Sequence, residues 1–371
     1  MNLSYWEYKT WFQHIDFTIV GSGIVGLNAA LALRKKFPKS KIAVLERGFL
    51  PSGASTKNAG FACFGSLSEI LDDFNSHSEQ EVLELIKKRW NGLQLLRENL
   101  GDTSIGFKNY GGYELFVKED ETFFSQCMEK LPAINTLLKP VFKKNVFIET
   151  MSGFVFQNIL QNCIFNPFEA QINTGKMMRT LIKKCVSEDI LILNSTEVTT
   201  FSDQANIVKI RLNNHLEFVT QKLLIATNGF ARQFLQETVE PARAQVLITK
   251  KIDNLNIKGT FHLDKGYYYF RNIDGRLLLG GGRNLDFTGE STTDFGTTEL
   301  IQNKLEQLLK EVILPNSEVE IEHRWSGIMG VGQQKKPIVK QLSENVYCGV
   351  RLGGMGIAIG SSVGNELANL L

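Results

Sequence analysis

The stretch that most constrains this chain is Asp16-Phe17-Thr18-Ile19-Val20-Gly21-Ser22-Gly23-Ile24-Val25-Gly26-Leu27-Asn28-Ala29-Ala30-Leu31. Phe17 to Val20 are β-formers without a charge, which predicts a buried strand. Gly21, Gly23 and Gly26 follow with the spacing G-x-G-x-x-G. In such a turn the first glycine permits the tight bend and the second lets a pyrophosphate approach the backbone. The third lets the following helix pack close on the strand. Backbone N–H groups of Ser22, Ile24 and Val25, at the positive end of the helix dipole, then face the phosphates. A second apolar run, Lys41 to Leu45, ends at Glu46. An acid about 20 residues beyond the last glycine is placed to meet a ribose 2′-OH. It disfavours a 2′-phosphate and leaves FAD or NAD as the dinucleotide.

With 371 residues, the chain is long enough for two domains and a large core. Forty-one basic residues stand against 39 acidic ones, a net charge of +2. That balance provides no strong field for nucleic acid or an anionic membrane. No apolar run reaches the length of a membrane span, and the first residues lack the basic and apolar regions of a signal peptide. Cys63, Cys127, Cys163, Cys185 and Cys348 are scattered, without a CxxC. Reduced thiols and a cytoplasmic protein are expected, with neither a disulfide framework nor a zinc site. His77, His215, His262 and His323 are isolated, so no metal site is expected.

Along the chain, Tyr5, Trp6, Tyr8, Trp11 and Phe12 make an aromatic leader expected to pack on the body. Arg47 to Gly60 is a loop of mostly small and polar residues, leaving the second strand at the end where ligands bind in such sheets. Residues 78–100 repeat Val82, Leu85, Ile86, Trp90, Leu93 and Leu96 at helical spacing, with Ser78 and Glu81 as a capping box. A second helix is expected over 120–138, stopped near Pro140, and a third from Asn173 to Cys185. Lys222 to Gly229 reads as a buried strand entering a glycine turn at Ala226, Thr227 and Gly229. Strands are expected at Ala244 to Lys250, Gly266 to Arg271 and Arg276 to Gly280, with Asp274-Gly275 as a hairpin turn. Tyr267, Tyr268, Tyr269 and Phe270 are consecutive, so alternate rings face opposite sides of the sheet. One set, Tyr267 and Tyr269, is placed to wall a substrate pocket. Near the end, a strand runs into Gly353-Gly354-Met355-Gly356-Ile357, where a helix begins.

The glycine turn, Val44-Leu45-Glu46-Arg47-Gly48 and Gly53-Ala54-Ser55-Thr56-Lys57-Asn58-Ala59-Gly60 together resemble the D-amino-acid-oxidase-type family of FAD-dependent oxidoreductases. The likeness is strongest to the γ-glutamylputrescine oxidase branch. The resemblance implies an α/β fold: a Rossmann-type FAD-binding domain interleaved with a smaller α+β substrate domain on an antiparallel sheet. Residues 1–87, 151–240 and 321–371 would form the first and residues 88–150 and 241–320 the second. It implies non-covalent FAD, with Gly21, Gly23 and Gly26 on the pyrophosphate and Glu46 and Arg47 on the adenosine side. Ser55, Thr56, Asn58, Ala59 and Gly60 would lie toward the flavin. Ala226, Thr227 and Gly229 would form a second contact, and Gly353, Gly354, Met355, Gly356 and Ile357 the terminal flavin loop.

The chemistry implied is hydride transfer from an amine-bearing carbon of a small amine or amino acid to the flavin, with oxygen or another acceptor reoxidising it. The sequence departs from the family pattern at three places. Met329 stands where an arginine after Trp-x-Gly would bind a substrate carboxylate, leaving Arg271, Arg283, Arg324 and Arg351 as candidates. Arg283 and Arg351, with Tyr267 and Tyr269, are taken as the catalytic set. Leu278 stands where an oxygen-activating lysine is found, and no cysteine lies near Gly327 for a covalent flavin bond. Two alternatives stay open on the same fold: a flavin dehydrogenase of 2-hydroxy acids or polyols, and a flavin-binding protein without catalysis. The sequence does not fix the oligomeric state.

Overall fold

Two eight-stranded sheets share the chain, which crosses between them repeatedly. The computed structural model describes residues 3–236, 238–315 and 317–371. In the first sheet Ile15–Val20 lies between Glu217–Ile225 and Ile42–Leu45, parallel to both, with Phe17 opposite Ile42 and Lys222. Val346–Val350 adds in parallel beyond Glu217–Ile225, and Leu191–Leu193 beyond Ile42–Leu45. These strands read as continuous apolar runs because both faces are covered. On one face Phe17, Ile19, Ile42, Val44 and Leu224 meet Leu27, Leu33, Leu93, Leu96, Met177, Leu181, Ile359 and Val363. Those partners come from helices Ile24–Lys36, Glu79–Leu100, Thr174–Ser187 and Gly356–Asn369. On the other face Val20, Leu45, Leu223 and Ile225 meet Val208, Ile210 and Phe218 of an antiparallel hairpin.

The second sheet runs in the order Ile321–Val331, Glu240–Thr249, Arg276–Gly281, Tyr268–Ile273, Thr260–Leu263, Gly112–Glu114, Asn162–Asn166 and Ile148–Met151. Only the pairing of Thr260–Leu263 with Gly112–Glu114 is parallel. Asp274 (φ +52°) and Gly275 (φ +74°) form the two-residue loop between Ile273 and Arg276. Two positive φ values match the twist of a hairpin. The period of two then sets the faces: Tyr268 and Phe270 enter the core with Phe261, Leu279 and Leu305 under helix Glu299–Leu308. Phe261 and Phe270 stack at 4.6 Å.

Several expectations need correction. Asn162–Asn166 and Ile321–Val331, expected with the first domain, pair in the second sheet. Helix Glu79–Leu100 runs unbroken across the expected boundary at residue 87, with Ser78 and Glu81 capping it as expected. The helix expected to stop near Pro140 continues to Phe142, with Pro132 and Pro140 inside it, and ends where Lys143 turns left-handed. The apolar face of Ile134, Leu138 and Phe142 is buried, which outweighs the lost N–H of each proline. Of the leader, Phe12 packs on Phe218 at 5.4 Å, whereas Tyr5 and Trp6 are 64% and 70% exposed.

Candidate functional site

A cavity of about 710 Å³ is lined from both sheets, beginning at the glycine turn. Gly21 has φ +104°, and a Cβ there would lie 2.9 Å from the Ala226 carbonyl oxygen. A Cβ on Gly26 would overlap the carbonyl oxygen of Gly21, so this glycine is required for helix-on-strand contact. Gly23 sits extended at the helix N-cap and supplies no side-chain cap. The N–H of Ile24 instead donates to Ser55 Oγ at 2.9 Å. The loop thus places a hydroxyl at the positive end of the helix dipole, where an anion is favoured.

Glu46 is buried at the carboxyl end of its strand. Its Oε2 accepts from the Ser22 N–H (3.2 Å) and Oγ–H (2.8 Å), and its Oε1 from the Gly48 N–H and Ser52 Oγ–H, both at 3.0 Å. Four donors fix the carboxylate toward the cavity it lines. Arg47 stacks over the Phe230 ring at 3.8 Å.

The 53–60 loop is held from three sides. Asn58 Nδ2 donates to the Ala54 and Ser55 carbonyls, while its Oδ1 accepts from the Gly60 N–H and Thr174 Oγ–H. Arg271, buried, donates through Nε to the Ala59 carbonyl and through Nη2 to that of Ile172. Burial lowers its pKa to about 10, so it stays a cation. Trp325 Nε1 donates to the Lys57 carbonyl at 2.9 Å. In the terminal loop Arg351, Gly353 and Gly354 have φ of +64°, +57° and +81° before helix Gly356–Asn369. Asn228 Oδ1 accepts from the N–H groups of Arg351 and Leu352 at 3.0 and 3.2 Å. An asparagine at this place therefore ties the two glycine loops together.

Tyr267, Tyr269, Arg283, His262 and Met329 line the cavity beyond these loops. Burial raises the Tyr269 pKa to about 12, keeping it a neutral phenol. Arg283 lies over the Phe287 ring at 4.9 Å, and its Nε is buried without a hydrogen-bond partner. Burial lowers its pKa, against the attraction of Tyr267, Glu240 and Glu290. The Nε itself is closed to solvent, but a guanidinium among the lining residues is suited to an anionic ligand.

Of the residues expected to hold the cofactor, Gly21, Gly23, Ile24, Val25, Glu46, Arg47, Ser55, Asn58, Ala59, Gly60, Ala226, Thr227 and Gly353 to Ile357 line the cavity. Five expected residues stand behind it. Ser22 is spent on Glu46 and Gly26 on the helix–strand contact. Thr56 Oγ donates to the Pro51 carbonyl at 2.7 Å, and Gly229 packs under the backbone of Met329. Arg351, expected to be catalytic, turns its guanidinium to the carbonyls of Lys336 and Thr238. Arg324, another carboxylate candidate, pairs with Glu306 at 2.7 Å. Residues not anticipated include Thr196, Glu197 and Val198, which follow strand Leu191–Leu193. Their place beyond a strand's carboxyl end was a usable signal. His262 and Cys63 also line the cavity. His262 bonds Glu169, 93 positions away, which no local pattern reveals.

Residues 16–370 match the model of a family described as FAD dependent oxidoreductase. The chain belongs to this family. Membership of the FAD-dependent oxidoreductase family is in keeping with the glycine turn, the Glu46 carboxylate and the terminal loop on one cavity. A probable oxidoreductase of Haemophilus influenzae (OrdL) is 19% identical over 381 residues, 98% of this chain and 84% of that protein. Iminodiacetate oxidase from Chelativorans sp. BNC1 superposes with a TM-score of 0.77 at 17% identity, covering 95% of this chain and 94% of that one. L-α-glycerophosphate oxidase from Mycoplasma pneumoniae, solved with FAD bound, gives 0.73 at 16%, covering 96% and 94%. At these identities the likeness to solved structures is one of fold. Among the described residues, no helix is long and apolar enough to cross a membrane.

Proposed function

We propose that this FAD-dependent oxidoreductase oxidises the C–N bond of a small amine or amino acid, holding FAD without a covalent bond. The observation that carries the reading is the cation Arg283 among the residues that line the same cavity as the glycine turn. FAD, when bound, supplies the hydride acceptor. Gly21, Gly23, Ile24 and Ser55 would meet its pyrophosphate, Glu46 its ribose, and Asn58 to Gly60 with Gly353 to Ile357 its ring system. Arg283 would take a substrate carboxylate, doing from the turn after strand Arg276–Gly281 what Met329 cannot do. Tyr267 and Tyr269 would wall the substrate and exclude water. Cys63 is buried in the lining and its pKa is raised well above that of an ordinary thiol by burial and by Glu169 and Glu69. A neutral thiol is a poor nucleophile, which supports a non-covalent flavin.

The likeness to a glycerophosphate oxidase makes oxidation of a hydroxylated substrate the second reading, since the same cation would hold a phosphate. The test is the visible spectrum of the FAD-loaded protein during anaerobic addition of amines, amino acids, 2-hydroxy acids and glycerol phosphate. Bleaching by an amine or amino acid is expected. Bleaching only by the hydroxylated compounds would move the reading to the second class. Bleaching by none would leave a flavin-binding protein.

A further inference from the structure

His262 stands between two spaces. It lines the main cavity, and it also lines a separate internal void of about 10 Å³ with Ser66, Gly112, Glu114, Asn166 and Glu169. Its Nε2 lies 2.5 Å from Glu169 Oε1, whose carboxylate also accepts from Thr260 Oγ at 2.9 Å. Both side chains of the pair are buried. Nδ1 makes no hydrogen bond among the described residues. Glu169 lines the inner void and not the main cavity. The pair is thus a dipole with its positive end on the cavity wall.

Other elements packed against the histidine add carboxylates, of which Glu69 itself lines the main cavity. Glu114, on strand Gly112–Glu114, accepts from Ser66 Oγ (3.1 Å) and from the Ser68 N–H and Oγ–H. Glu69, on helix Leu67–Asp73, also acts on His262. The remaining ring neighbours, Phe61 (5.3 Å) and Tyr269 across the strand pair, bring no cation. Burial disfavours the imidazolium, but Glu169, with Glu69 and Glu114, more than offsets this and raises its pKa to about 9. Burial raises that of Glu114, against its serine donors, so Glu169 is the main counter-charge of the ring.

We propose that His262, held by Glu169, is a positioning residue that presents a fixed positive charge to the cofactor cavity and favours negative charge on the reduced flavin. It offers, from an unrelated strand, a cation near the cofactor where the apolar Leu278 brings none. The inference rests on the flavin reading of the site. A fixed charge in a desolvated wall acts more strongly than one in water.

The experiment measures the dissociation constant of sulfite, a probe whose flavin complex is anionic, for FAD-loaded wild type, His262→Gln and Glu169→Gln. Each variant is expressed as its ratio to wild type at the same pH, which cancels the ionisation of sulfite. For His262→Gln the constant should rise about tenfold at both pH 6 and pH 8, the size expected of one nearby charge. For Glu169→Gln the ratio should rise toward that of His262→Gln by pH 8, because the imidazolium loses the main carboxylate that offsets its burial. Glu169→Gln keeps the side-chain volume and an acceptor for Nε2–H, so it carries the test alone should His262→Gln not fold. A ratio near one for either variant at pH 8, in protein that holds FAD, would overturn the proposal while leaving the flavin reading intact. A wild type that takes up no FAD would overturn both.

Discussion

Gly26 and Gly53 separate a residue the fold requires from one it tolerates. A Cβ at Gly26 would overlap the Gly21 carbonyl oxygen, whereas one at Gly53 would meet no atom within 4 Å. Gly26→Ala should cost about 1–3 kcal/mol or more and abolish FAD retention on gel filtration, with Gly53→Ala close to wild type in both. Arg283 is tested through its ligand. Arg283→Gln should raise KM for a carboxylate-bearing substrate about tenfold to a hundredfold, the loss of one charge-assisted pair, and leave that for a neutral amine unchanged. Equal effects on both would assign Arg283 to the fold. His262 gives a stability signature with a definite sign. Its pKa is raised from about 6.5 to about 9, so the pair contributes fully below pH 6.5 and loses its contribution as pH rises through 9. The stability gap between wild type and His262→Gln in urea denaturation should therefore narrow from pH 6 to pH 9.5, and a gap that widens would contradict the charge assignment.

Elements that carry their own punctuation are the ones that could be read before folding. The 78–100 helix has a capping box and an apolar stripe, and the strand–turn–helix at residues 15–36 has its three glycines. The Asp274-Gly275 turn likewise fixes its hairpin, and with it the opposite faces taken by Tyr267 and Tyr269 and by Tyr268 and Phe270. Gly275 has φ +74° and open space around it, so Gly275→Ala isolates the backbone term. It should lower stability by about 1 kcal/mol and leave FAD affinity unchanged, measured by thermal unfolding and flavin titration. A change in affinity would mean that the turn is coupled to the cavity. What could not be read comes from pairing at a distance. Ile321–Val331 joins the second sheet because its partner is Glu240–Thr249, with Trp325 opposite Val246. Nothing within the strand itself distinguishes that partner from one in the first sheet. The same holds for Arg351, whose left-handed backbone and outward guanidinium follow from the Asn228 bridge, and for the His262–Glu169 pair.

For the whole molecule, the decisive arrangement is that one cavity draws on both sheets and both ends of the chain. In the proposed placement of FAD the glycine turn and Glu46 form the nucleotide end, while Tyr267, Tyr269 and Arg283 belong to the second sheet and the turns beside it. Any ligand that binds only the folded state stabilises it by mass action, by about 2.7 kcal/mol at a hundred times its dissociation constant. ADP can use only the nucleotide end, whereas FAD reaches further along the lining. At equal concentration FAD should raise Tm by several degrees more than ADP, and the excess measures what the flavin-facing loops and second sheet add. In Arg271→Gln the guanidinium that ties the Ala59 and Ile172 carbonyls to strand Tyr268–Ile273 is lost. Once the destabilisation common to both ligands is subtracted, that variant should shrink the FAD excess and spare the ADP shift. Equal shifts for FAD and ADP in wild type would mean that the second sheet encloses the cavity without contributing to cofactor binding.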